Sequence, residues 1–390
     1  MIKKINLLLA TLLLSIAVYA QPGPVIVPSY VKLLPDSVES RQLISALNGF
    51  LQQSTKPTKE NTFALPACLP ETASLVAEIK GQENGKGPDK VNFYKCYLTN
   101  LMPLDSNNYI VQLAYMGMDG SAPVVRISFK LMAQKMSGQF YFYSPLQRNT
   151  LNWKSKTYGS FTFYYQISLD NTRAANYARK AAEFDAKLHA PQYINHLYFA
   201  GDLQEALALL GIDYKMDYNG FRNGDFSAFD NDIDLDVMAS DDKDAYAYDL
   251  HDLWHDRLHK TISVTIINKP VDEACAYLYG GSWNIPWPVI FKRFKAFMGD
   301  NKDWLTAFTD NKNFGESQAN HLYVAYVINA LLVQKIEKEK GFPGVIELLS
   351  CGKHEDSNDK YFIALNKIIG INRANFNVEV GKLVEGESVE

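Results

Sequence analysis

His251-Asp252-Leu253-Trp254-His255, with Val271-Asp272-Glu273-Ala274-Cys275-Ala276-Tyr277 behind it, decides how this chain reads. Histidines four positions apart on a helix project from one face, one turn above the other, so both imidazoles can reach one metal ion. A carboxylate from a second helix then closes the site as third ligand and leaves a fourth position for water. Glu273 is that carboxylate. Pro270 suits the first turn of its helix and Gly280-Gly281 suits the end. With 7 histidines in 390 residues, a pair at this spacing is expected by chance only roughly 0.1 times. His259 continues the stripe, but eight helical residues span about 12 Å, too far for it to share an ion with His251. It is expected to support the ligands from outside or to face water.

Working outward, apolar spacing of helical period predicts helices over 249–262, 271–279, 287–298, 320–340, 343–350, 358–369 and 373–384. Before them, residues 216–247 are polar and acidic. Asp230, Asp232, Asp234 and Asp236 alternate there, without the glycine and closing glutamate of a calcium loop, so an exposed hairpin or loop is expected. Nearer the start the period changes to two. Val125, Ile127, Phe129 and Leu131 alternate with Arg126, Ser128 and Lys130, the pattern of a half-buried strand. Similar runs at 91–98, 109–115, 139–143 and 160–168, separated by turn residues, predict an antiparallel meander against a helix over 37–53. The fold class is therefore α+β. We expect a β-rich domain over 21–170, a linker helix over 171–191 and a mostly helical domain over 192–385.

Residues 1–20 read as a secretory signal. Lys3 and Lys4 precede an apolar run from Ile5 to Val18, and Val18-Tyr19-Ala20 suits cleavage. The run is short for a membrane span, and no later segment reads as one. An exported protein, periplasmic or secreted, is expected. The formal charge of −4, without a basic patch, argues against nucleic acid as partner. Cys68, Cys96, Cys275 and Cys351 lack CxxC spacing; in an exported chain Cys68 and Cys96 are the pair that can form a disulfide.

Residues 192–385 resemble the gluzincin-type metallopeptidases of the peptidase MA-like group. The resemblance rests on His251-x-x-x-His255 and on the Val271 to Tyr277 helix. Tyr326 to Gly341 also looks like that group's long helix, and Tyr361 to Phe376 like its closing helices. It implies Zn2+ held by His251, His255 and Glu273, a peptide or protein substrate, and residue 252 as general base. It also implies a tyrosine, Tyr323 or Tyr326, that stabilises the transition state. The chain departs from the pattern at one place. The usual His-Glu-x-x-His carries its base on glutamate, and here Asp252 is one methylene shorter. Peptide-bond hydrolysis with weak activity is one expectation. The alternative is an inactive pseudo-peptidase that binds a peptide or a cell-surface partner, and a third reading makes the metal a structural staple. Asp256 and Asp272 are candidate acceptors for the imidazole N–H groups. Trp254 is expected in the core; Trp283 and Trp287 are expected to pack in the core or to line a cleft wall.

Overall fold

A computed structural model describes residues 24–85, 91–230, 232–244, 247–316 and 320–387; the signal expected over 1–20 lies outside them. The chain divides into two units, and the fold is α+β as expected. One unit takes residues up to Thr157 together with Phe161–Ser168 and Tyr193–Asp241. The other takes Leu169–Gln192 and everything from Asp242 onward, with Tyr158–Ser160. The helix expected as a linker is thus part of the helical unit, whereas 193–241 joins the β-rich one.

In the first unit, helix α1 (Ser37–Gln52) is capped by Asp36, whose carboxylate accepts from the Val38 backbone N–H at 2.7 Å. Such a cap satisfies an N–H that the helix itself leaves without an acceptor. Its buried stripe of Leu43, Leu47, Phe50 and Leu51 faces the meander, and the Phe50 and Phe142 rings lie 5.5 Å apart. The meander comprises β1 (Lys95–Pro103), β2 (Asn108–Asp119), β3 (Ala122–Met136) and β4 (Gln139–Tyr143), each antiparallel to the next. Ile127, Phe129 and Leu131 are fully buried, while Val125 near the strand's start is exposed. Helix α2 (Leu69–Ile79) went unread in the sequence, and a single turn α3 (Leu146–Asn149) follows β4.

A second sheet has the order β5 (Lys154–Tyr158), β6 (Phe161–Tyr165), β7 (Ile194–Phe199), β10 (Ile233–Met238), β9 (Asp225–Asp230). The strands β6, β7 and β10 run parallel, and β9 returns antiparallel on β10. The acidic segment is therefore a hairpin. Its second strand is an inner one that buries Leu235 and Val237. Between β7 and β9, α5 (Leu203–Leu210) ends on Gly211, and β8 (Ile212–Lys215) pairs with β3. Gly211 holds φ +93°, and a Cβ there would lie 2.4 Å from the Lys130 carbonyl oxygen. Only glycine permits both that turn and that approach.

All four cysteines are free, so the Cys68–Cys96 bridge considered above is not formed. Cys68 sits at the N-terminus of α2, while Cys96 on β1 faces Tyr115 of β2. Burial pushes the Cys96 thiol up to about 12 although Tyr115 hydrogen-bonds it.

The second unit is helical. Helix α4 (Asn171–Leu188) packs on α6 (Leu250–Thr261), with the Phe184 ring edge-on to Trp254 at 5.4 Å. Helix α7 (Lys269–Tyr279) lies against α6, and α8 (Trp287–Met298) and α9 (Trp304–Asp310) follow. Helix α10 (Val324–Lys340) is the central element: Val324, Val327, Ile328, Ala330, Leu331, Leu332, Val333 and Ile336 are all buried. Helices α11 (Phe342–Leu349), α12 (Asp359–Ile369) and α13 (Phe376–Gly386) complete the unit. The buried Asn329 is paired at both ends of its amide, donating to the Ala325 carbonyl at 2.9 Å and accepting from the Tyr361 hydroxyl at 2.7 Å. No helix among the described residues is long and apolar enough to cross a membrane.

Candidate metal centre

Asp249 starts α6, accepting from the His251 backbone N–H at 2.8 Å. One turn separates His251 from His255, and their Nε2 atoms lie 3.2 Å apart. From α7, Glu273 Oε2 comes to 3.5 Å from His251 Nε2 and 3.9 Å from His255 Nε2. These three residues form one of two groups among the described residues able to hold a metal ion. Two nitrogens on one tetrahedral zinc, with bonds of about 2.0–2.1 Å, lie about 3.3 Å apart. The three side chains already stand close to that spacing.

The opposite ring nitrogens are each tied. His251 Nδ1 is 2.8 Å from the Gly281 carbonyl oxygen, and His255 Nδ1 is 2.8 Å from Asp272 Oδ1. A carbonyl and a carboxylate only accept, so both Nδ1 atoms carry the hydrogen, and in the neutral rings both Nε2 atoms bear lone pairs. Two lone pairs pointing at one spot beside a carboxylate repel unless a proton or a cation lies between them. Burial alone would lower the His251 pKa, but Glu273 and the Gly281 carbonyl outweigh it and raise it.

Asp272 binds three partners. It is 4% exposed, and it also accepts from Trp254 Nε1 at 3.2 Å on Oδ1 and faces His259 Nε2 at 3.2 Å on Oδ2. Burial would raise its pKa, yet the bonds from His255 and His259 bring it to about 2. Asp272 thus takes the supporting place considered for it, and His259 stands outside, as its distance from His251 required. Asp256 pairs with Lys260 at 2.7 Å and acts on His259 through its charge alone. Lys269, one turn before Glu273, lies 3.9 Å from its other oxygen.

Close backbone approach sets the two helices in register. Helix α7 ends at Gly280, where a Cβ would lie 2.5 Å from the Leu250 carbonyl oxygen and 2.7 Å from the His251 backbone nitrogen. Gly281 follows at φ +83° and offers its carbonyl to His251. Asp252 occupies the first turn of α6 and is exposed.

An aromatic wall continues from the candidate ligands. The Tyr277 ring is 5.9 Å from His251 and 5.6 Å from Tyr326, and the Tyr323 ring is 5.2 Å from Tyr326. Burial and then the Glu273 carboxylate push the Tyr326 phenol up, so it is within electrostatic reach of Glu273. Tyr323 precedes α10; its backbone N–H donates to the Tyr277 hydroxyl at 3.3 Å, and its ring stacks on His321 at 5.8 Å. His321 carried no signal in the sequence. Its carbonyl accepts from Trp283 Nε1 at 3.0 Å, and its Nδ1 faces the Asn313 amide at 3.0 Å. Trp254 and Trp287 are core residues as expected, whereas Trp283 is 37% exposed.

No protein-family model matches the chain, and no curated protein shows significant similarity to it.

Proposed function

We propose that the helical unit is a gluzincin-like peptidase unit that holds zinc between His251, His255 and Glu273 and hydrolyses peptide bonds, with turnover held down by Asp252. The observation that carries this reading is the 3.2 Å approach of two Nε2 atoms whose Nδ1 positions are both anchored. Neutral imidazole pairs with a carboxylate suit zinc among divalent ions. When bound, zinc supplies acidity to a coordinated water and polarises the scissile carbonyl.

The chain's own residues do the rest. Gly281 and Asp272 fix both imidazoles in the ligating tautomer by accepting from their Nδ1–H groups. Asp252 is the proton acceptor, moving a proton from water toward the leaving amine. Its shorter arm sets the carboxylate back, and about 1 Å of misplacement costs on the order of a hundredfold in rate. The phenol of Tyr326, or of Tyr323 beside it, is the donor for charge developing on the carbonyl oxygen. If residues 1–20 export the chain, its substrates are peptides or proteins outside the cytoplasm.

Metal analysis of purified protein, expected to give about one zinc per chain, tests the first half. Digestion of a peptide library by the wild type and by Asp252→Glu tests the second. The exposure of Asp252 favours one competing reading, an inactive peptide-binding unit. That reading wins if the metal is bound and neither protein cleaves anything.

A further inference from the structure

The second ligand group among the described residues, His255, His259 and Asp272, meets the first at His255. In the centre described above, Asp272 Oδ1 is committed to His255 Nδ1 at 2.8 Å and to Trp254 Nε1 at 3.2 Å. Its other oxygen, Oδ2, faces His259 Nε2 at 3.2 Å. That spacing again matches the ~3.3 Å between two ligand atoms on one tetrahedral ion. The carboxylate is buried, while the His259 side chain is 42% exposed, so the pair opens to solvent on the imidazole side. The His255 and His259 rings are 5.8 Å apart and inclined by only 29°; both present an edge to the same carboxylate.

We propose that His259 Nε2 and Asp272 Oδ2, with water completing the shell, form a second, outer site for a borderline divalent cation such as zinc or cobalt. One imidazole and one carboxylate oxygen suit that class and bind it more weakly than the three inner ligands. The two sites are antagonistic, a consequence that rests on the inner-site reading. A cation on Oδ2 draws charge from the carboxylate that accepts the His255 Nδ1–H. That weakens the 2.8 Å bond that orients the His255 ring, and with it the hold of His255 on a cation in the inner site. By linkage, inner occupancy weakens the outer site by the same factor. Excess metal would thereby loosen the centre that a stoichiometric amount fills.

Calorimetric titration of metal-free protein with Zn2+, paralleled by Co2+ absorption, tests this. We expect two events in the wild type, the second about 100-fold weaker than the first, an order set by the usual effect of losing ligand support. His259→Ala, and His259→Gln, which retains a polar side chain of similar size, should each abolish the weak event and keep the tight one. Glu273→Gln should abolish the tight event and keep the weak one. A tight event with no weaker second one in the wild type at millimolar cation overturns the proposal. So does a weak event that survives both His259 substitutions in proteins that melt like the wild type. If the wild type shows no tight event, but its weak event disappears with His259, the inner-site reading fails and the outer site stands.

Discussion

Replacing Gly280 by alanine is the sharpest test of how the centre is built. The added Cβ would stand 2.5 Å from the Leu250 carbonyl oxygen, 2.6 Å from its carbon and 2.7 Å from the His251 nitrogen. All three are backbone atoms, so no side chain can swing aside. Ordinary contact requires the ends of α6 and α7 to separate by about 0.7–1 Å. Overpacking of this kind costs about 1–3 kcal/mol. Near 2 kcal/mol, a unit of this size loses roughly 4–8 °C in Tm. The ligand geometry suffers more, because metal sites tolerate about 0.2 Å and the shift falls between His251 on one helix and Glu273 on the other. It also stretches the 2.8 Å bond from His251 Nδ1 to Gly281. Affinity for zinc, measured by competition with a chromophoric chelator, should fall about 10–100-fold. Gly386→Ala is the control: a Cβ there meets nothing within 4 Å in a helix end, so it should be neutral or slightly stabilising. A Gly280→Ala protein with wild-type zinc affinity and Tm would refute the claim that this contact sets the ligands.

His255→Ala should lose the tight metal and, with it, the thermal stabilisation that metal gives; equal Tm with and without chelator in the wild type would contradict any contribution of metal to folding. Asp272→Asn keeps the size but removes the charge from three N–H partners, so zinc affinity should drop about 10–100-fold, and an unchanged affinity would remove Asp272 from the support of His255. Asp252→Glu should raise peptide cleavage at least several-fold at unchanged metal content; a drop would mean that the carboxylate at 252 is not the proton acceptor. Tyr326→Phe should lower kcat more than Tyr323→Phe does, with the reverse order assigning the donor to Tyr323.

The grouping of the three candidate ligands was legible in the sequence because helical periodicity fixes which residues share a face. His251 and His255 needed only their spacing, and Glu273 only a second helix with Pro270 at its start. The rest of the centre depends on contacts that spacing does not encode. Adjacent Asp272 and Glu273 take different duties because one is buried against Trp254 and the other is not. Gly280 reads as an ordinary helix stop, while its lack of a side chain serves the facing helix. The strand at 194–199 lies in the stretch expected to be mostly helical, and it joins the first unit because its parallel pairing with 161–165 and 233–238 is a long-range choice that local pattern does not determine. Helix α2 was missed because Leu69–Ile79 carries polar residues such as Glu71 and Thr72 on its buried side.

Everything that builds the inner centre, from His251 to the Gly281 carbonyl, comes from one contiguous run of about thirty residues. Bringing its ends together closes a short loop, and the entropy of closure grows only slowly with length. A nascent chain therefore carries all three candidate ligands as soon as Gly281 has emerged, long before α10 exists to pack against it. A cation captured at that stage would hold α6 and α7 as a preassembled hairpin onto which the later helices condense, making metal supply during synthesis, and not only afterwards, a determinant of how much of the protein reaches its native state.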